Sequence, residues 1–323
     1  MRVVFWGSPE FAVVVLEAVL ASAHEVVGVV TRPPEPGGRG RRPRPTAVAR
    51  LAESAGLRTL TPKRLRGDAF RGELAALGAE VFLVAAYGAI LPPDILSLPP
   101  HGSLNVHASL LPEYRGAAPV TRAILEGRSE TGVTIMRMEE GLDTGAICLQ
   151  AAEPMLEGDT AETLTRRLAV LGGRAAVEAL NQLEAGTLTE TPQDELRASY
   201  AAKVTTEEAR IDWSRPAAAI ERAARAFDPW PGAWTTFRGD RLKVFRVGSP
   251  VAADVLPGGP PNGVEGGAVG GRPGEIVSAD PAPIVRTGDG LVRLELVQPP
   301  GGRRMAGADW ARGRGVKPGE ALD

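Results

Sequence analysis

The sequence predicts an α/β chain whose first half is an open, parallel-type sheet and whose last third is a small β-barrel, and three observations carry that expectation. Continuous apolar runs at 2–6, 25–30 and 81–86 are separated by helical stretches, the pattern of strands covered on both faces. A long helical pattern begins at Asp159–Thr160, with Leu164, Leu168, Leu171, Val177, Leu180 and Leu183 on its apolar face. Beyond Thr206 the apolar runs become short and are separated by turn residues, as in a barrel or sandwich. At 323 residues two domains are expected, with an α/β domain over 1–188, a linker over 189–206 and a β-barrel domain over 207–318.

Taken in order, Arg2–Trp6 reads as a buried strand, and Gly7-Ser8-Pro9 turns it into a helix with Ser8 as cap and Pro9 in the first turn. Glu25–Val30 and Val81–Ala86 read as the next strands, and Ser103–His107, Gly132–Met138 and Ala146–Ala151 as three more. Gly172-Gly173 is expected to weaken the middle of the long helix, and Gly186 to end it. The C-terminal third offers a helix near Pro216–Phe227 and β-like runs at 233–237, 242–247, 275–277, 284–287 and 291–297. Ser249–Gly274, dense in Gly and Pro, reads as a long exposed loop.

Hydrophobic residues at 43% and charged residues at 24% suit a soluble globular chain with a sizeable core. No apolar run is long enough to span a bilayer, the N-terminal residues do not read as a signal peptide, and a cytoplasmic protein is the expectation. A single cysteine, Cys148, excludes an internal disulfide and a cysteine-rich zinc site. The net charge of −2 gives no hint of a polyanionic partner, but Thr31–Arg66 holds ten basic residues against two acids. Such a patch suits phosphate contact, and equally suits a solvated Arg-rich surface.

Gly7-Ser8-Pro9-Glu10-Phe11 lacks the later glycines of a dinucleotide fingerprint, so no nucleotide cofactor is expected. The chemistry is expected between Leu104 and Gly145. Asn105 and His107 share one face of a strand end, the usual place for ligands in an open α/β sheet. An Asn amide can donate to a developing oxyanion, and a histidine can exchange a proton near neutral pH. Asp143, in the turn Gly141-Leu142-Asp143-Thr144-Gly145, is placed to orient the imidazole. No nucleophile elbow and no metal-spaced cluster competes with them, so acyl transfer without a covalent intermediate and without a metal is expected.

The segments Asn105-Val106-His107-Ala108-Ser109-Leu110-Leu111-Pro112, Tyr114-Arg115-Gly116-Ala117-Ala118-Pro119, Thr131–Met136 and Gly141–Gly145 resemble the signature of the 10-formyltetrahydrofolate-dependent formyltransferases. The resemblance covers nearly the whole chain and is strongest to the members that act on charged initiator tRNA. It implies a Rossmann-like formyltransferase fold followed by an OB-like barrel that binds tRNA, with 10-formyltetrahydrofolate as co-substrate and neither nucleotide nor metal. It implies that Asn105, His107 and Asp143 are catalytic and that Ser109, Leu110, Leu111 and Pro112 line the folate site. Gly38-Arg39-Gly40-Arg41-Arg42 resembles the family's tRNA-contacting loop, which implies tRNA roles for Arg39, Arg41 and Arg42. The implied partner is initiator methionyl-tRNA, met by a monomer away from any membrane. Relatives acting on nucleotide sugars are expected to carry an added dinucleotide-binding domain, and those acting on glycinamide ribonucleotide to lack the C-terminal third.

Overall fold

The computed structural model describes residues 1–37, 42–248 and 271–323. They form two compact units, one of residues 1–119, 129–155 and 163–202, the other of 120–128, 156–162 and 203–323.

In the first unit the chain runs through β1 (Arg2–Gly7), α1 (Glu10–Leu20), β2 (Glu25–Val30), a short ribbon of β3 (Glu35–Gly37) and β4 (Arg42–Arg44), α2 (Ala47–Ser54), β5 (Thr59–Leu60), α3 (Asp68–Ala75), β6 (Val81–Ala85), α4 (Pro93–Leu96), β7 (Ser103–His107) and β8 (Arg115–Gly116). After α5 (Pro119–Glu126), whose residues from 120 on belong to the second unit, follow β9 (Glu130–Arg137), β10 (Ile147–Pro154), α6 (Ala161–Glu184) and β11 (Tyr200–Ala201). The main sheet has the order β10-β9-β7-β6-β1-β2-β5. Its pairs from β5 to β7 are parallel, while β9 and β10 add an antiparallel edge. The continuous apolar runs are the central strands, since every residue of β6 is buried and only Arg2 of β1 is exposed. Trp6 anchors one face of this core, with the Tyr87 ring 5.2 Å and the Phe82 ring 5.5 Å away. The chain leaves β2 and β5 on one side of β1 and continues to β6 and β7 on the other, so the strand order reverses beside β1 and β6. Ligands of open α/β sheets bind outside the carboxyl ends of strands at such a reversal, and β7 ends there on His107.

Two local expectations fail for identifiable reasons. Ser8 does not cap α1: Pro9 occupies the cap position without a side-chain hydrogen bond. The Ser8 hydroxyl instead accepts from the Arg32 N–H at 3.3 Å and ties the end of β1 to the end of β2. The glycines of α6 do not weaken it, because the helix is continuous through them. A Cβ on Gly172 would lie 2.9 Å from Cγ1 of Val106, and one on Gly173 would lie 2.7 Å from Cβ of Ala18. Their missing side chains let α6 seat against β7 and α1. Gly172→Val is therefore expected to destabilise the protein by about 1–3 kcal/mol through overpacking, read as a lower midpoint in denaturant. Because Val106 lies between Asn105 and His107, the same variant should also lose activity.

The second unit contains α7 (Ala217–Ala226), β12 (Ala233–Phe237), β13 (Asp240–Val247), β14 (Ile276–Ser278), β15 (Ile284–Arg286), β16 (Leu291–Gln298), β17 (Met305–Ala306) and α8 (Gly307–Arg314). The antiparallel order β12-β13-β16-β15-β14, with β17 also on β16, forms a half-barrel. Among the described residues no pairing joins its end strands β12 and β14. Alternate residues of β12 are buried, as a sheet with one covered face requires. Trp310 of α8 packs edge-on against Phe237 of β12 at 5.1 Å. Neither β17 nor α8 is expected from the sequence. The loop read over 249–274 lies outside the described residues up to 270.

Candidate active site

Strand β7 pairs with β6 on one side and β9 on the other, so its backbone is fixed by the sheet. Val106 points toward α6, and strand alternation turns Asn105 and His107 to the opposite face. His107 is buried. Its Nε2 lies 2.9 Å from the Tyr114 carbonyl oxygen. A carbonyl can only accept, so Nε2 is the donor of this bond. Nδ1 faces Oδ2 of Asp143 at 3.6 Å. The same oxygen accepts from the Gly116 N–H at 2.8 Å, so the carboxylate is itself held.

Both residues that meet the imidazole have left-handed backbones, with φ of 61° at Tyr114 and 54° at Asp143. Non-glycine residues adopt this region at a cost of about 1–3 kcal/mol unless their surroundings impose it. Here hydrogen bonds from neighbouring residues impose it. Ser199 Oγ accepts from the Tyr114 N–H at 2.8 Å, and its carbonyl accepts from the Arg115 N–H at 2.9 Å. Gln193 Nε2 donates to the carbonyls of Asp143 and Gly145, each at 2.8 Å. The residues expected to be a linker thus pack on the site: Thr191 bridges to Ile147, and β11 pairs with β8. Arg115 donates to Gln193 at 2.9 Å and to both oxygens of Glu195 at 2.7 and 2.9 Å. That guanidinium holds the Glu195 carboxyl below the usual carboxylate range.

Asn105 is half-buried, and among the described residues its side-chain amide makes no hydrogen bond. It is the polar group of the trio left available to a substrate. The turn after His107 is more enclosed. Ser109 is fully buried, and its hydroxyl donates to the Glu113 carbonyl. Leu111 is buried, with its N–H bonded to Thr134 Oγ1 at 3.0 Å and its carbonyl to Gln150 Nε2 at 2.8 Å. Pro112 is buried as well, while Leu110 is half-buried over Gly132. Thr134 and Gln150, which hold this turn, are site residues that the sequence did not reveal. Arg39 and Arg41 lie outside the described residues, as does the side chain of Arg42, whose backbone opens β4. Cys148 is buried, and burial pushes its thiol up to about 11. Among the described residues no His, Cys, Asp and Glu cluster could hold a metal, and no helix is long and apolar enough to cross a membrane.

A buried imidazole with a carboxylate at Nδ1 and, two residues away, an amide with no hydrogen bond among the described residues is an arrangement suited to group transfer by positioning and charge stabilisation. Comparison with known proteins is specific. Residues 1–180 match the formyl transferase family and 203–315 its C-terminal domain, so the chain belongs to the formyl transferase family. It is 46% identical over all of its length, and over 99% of theirs, to the methionyl-tRNA formyltransferases of Thiobacillus denitrificans and Thermus thermophilus. The fold is shared with the N-formyltransferase of Helicobacter canadensis, solved with folinic acid and dTDP-3-aminofucose, at a TM-score of 0.65 and 18% identity over 91% of this chain. That protein is matched over 98% of its own length.

Proposed function

We propose that this chain transfers the formyl group of 10-formyltetrahydrofolate to the α-amino group of methionine on initiator tRNA, giving N-formylmethionyl-tRNA. The observation that carries this reading is the 46% identity, end to end, to methionyl-tRNA formyltransferases. The geometry at the end of β7 suits the chemistry.

The neutral amine attacks the formyl carbon, and the carbonyl oxygen becomes an oxyanion. Asn105, with its amide unoccupied, donates to that oxygen, and the positive form of His107 adds to the stabilisation. Collapse breaks the bond to N10 of the folate. The amine gives up one proton and N10 takes up one, so the exchange balances with no net proton released. Asp143 complements the charge on Nδ1 and relays the proton through water. Ser109, Leu110, Leu111 and Pro112 form the wall of the folate site, with Leu110 the most open of them. Arg39, Arg41 and Arg42 contact tRNA, the domain over 1–188 together with the segment 193–201 that packs on it carries the chemistry, and the domain over 207–318 binds the tRNA body. The protein acts as a monomer in the cytoplasm.

Folate labelled in its formyl carbon should pass that label to N-formylmethionine released from the tRNA. Label that stays on the folate would overturn the reading. Asp143→Asn should keep the left-handed turn, which Asn tolerates, and the Gly116 bond, while losing the charge opposite Nδ1. Turnover should fall by at least about 10-fold, with folate affinity unchanged. Loss of folate binding with turnover preserved at saturation would contradict the role given to Asp143.

The loop supplies a separate expectation. Each phosphate contact contributes about 0.9 to the slope of log affinity against log salt for a duplex. Replacing Arg39, Arg41 and Arg42 with Ala should flatten that slope by about two to three units and raise the Michaelis constant for tRNA, leaving folate binding unchanged. An unaltered slope would make the patch a solvated surface.

A further inference from the structure

The structure assigns Gln193 the role of a positioning residue, a clamp that sets the geometry of the His107–Asp143 pair. This assignment deepens the proposed function and rests on it for its kinetic readout, though not for its spectroscopic one.

The imidazole is held from two sides. One partner is the carbonyl of Tyr114 and the other is the carboxylate of Asp143, and they sit on two different loops. Neither loop holds its own shape by regular secondary structure at that point, and both turn through left-handed residues. What joins them is the segment 193–201. Its far end fixes the first loop: Ser199 bonds the backbone of Pro112, Tyr114 and Arg115, and Tyr200 and Ala201 pair in parallel with Arg115 and Gly116. Its near end fixes the second loop through Gln193, whose Nε2 reaches the carbonyls on either side of Thr144.

The residue type follows from these partners. Two carbonyl oxygens converge on one point and need two donated hydrogens, which the NH2 of a primary amide supplies. The remaining Oε1 accepts from Arg115 Nε at 2.9 Å. Arg115 belongs to the first loop, so Gln193 bridges the two loops side chain to side chain. The amide orientation is fixed as well, because reversing it would set oxygen against two carbonyls and NH2 against a guanidinium. Arg115 is turned toward Gln193 by its bidentate pair with Glu195.

A shift of about 1 Å in reacting groups can lower turnover about 100-fold without changing the chemistry. Releasing the Asp143 loop would produce such a shift, since the carboxylate already stands 3.6 Å from Nδ1, with Gly116 as its other hold. Substrate binding surfaces elsewhere would be untouched.

The test compares the full chain with Gln193→Glu, Gln193→Ala and Leu196→Ala. Gln193→Glu keeps the length and the acceptor for Arg115 but sets a carboxylate oxygen against the carbonyls of Asp143 and Gly145. Leu196, 97% exposed in the same segment, serves as control. Formylation kinetics are measured together with 15N spectra of histidine-labelled protein without substrates. The chain has three histidines, so His107 is assigned by its variant. Both Gln193 variants should lower kcat by about 10- to 100-fold with the KM for folate within about twofold. The His107 nitrogen signals should move while those of His24 and His101 stay in place, and Leu196→Ala should match wild type throughout. Turnover within about twofold of wild type, with His107 signals unmoved, would overturn the assignment. So would signals of all three histidines moving together, since that marks general loosening. If wild type itself transfers no formyl group, the proposed function fails while the spectra still decide the clamp.

Discussion

Replacing His107 by alanine is expected to lower formyl transfer by about two to four powers of ten, the usual scale for a lost acid–base group. The effect should be the largest of any single substitution, because the ring bridges two loops and, in the proposed mechanism, stands beside the reacting carbonyl. Its removal also takes away a hydrogen bond to the buried Tyr114 carbonyl, so a loss of stability of about 0.5–1.5 kcal/mol should accompany the loss of rate. Turnover is therefore to be measured at a temperature where circular dichroism shows the variant folded. Near-normal turnover there would remove His107 from the mechanism.

Asn105→Ala should behave differently in one informative respect. Removing an oxyanion donor costs about two to three powers of ten in turnover. Yet the amide makes no hydrogen bond among the described residues and is half-exposed, so its loss should leave the unfolding midpoint nearly unchanged. A fall in kcat with stability and folate KM preserved is the expected result. A fall in stability equal to that of His107→Ala would show that the amide is structural.

The parts of this site that could be read in the sequence are those written in side chains on a regular element. Asn105 and His107 lie two residues apart on a strand, and period-two alternation puts them on one face without further knowledge. Asp143 stands in a glycine-flanked turn that advertises itself. The partner of His107 Nε2 could not be read, because it is a backbone carbonyl and any residue type at position 114 would offer one. Gln193 gave no signal, since its stretch has no periodicity and its partners are two carbonyls and a distant arginine. Thr134 faces inward on β9 and looks like a core residue until its bonds to Ser109, Leu111 and Gln150 are seen.

The same distinction runs through the fold. Central strands were legible because burial on both faces leaves a continuous apolar run. Helix α8 was not, because it carries two glycines and is held largely by one aromatic, Trp310, against Phe237. Gly172 and Gly173 misled for a related reason. Helix propensity describes an isolated helix, whereas here tertiary packing against Val106 and Ala18 decides which side chain fits. Ser8 offered the right chemistry for a cap, but hydrogen bonds to the end of β2 claimed its hydroxyl.

Whether methionine on initiator tRNA is the acceptor is decided by comparing acceptors. Purified protein is given 10-formyltetrahydrofolate with methionine on initiator tRNA, methionine on elongator tRNA, or an amino sugar nucleotide, and kcat/KM is measured for each. The account predicts efficient transfer to the initiator, a value at least 100-fold lower for the elongator (about 2.7 kcal/mol of discrimination), and none to the sugar. Equal transfer to both tRNAs, or preference for the sugar nucleotide, would contradict it.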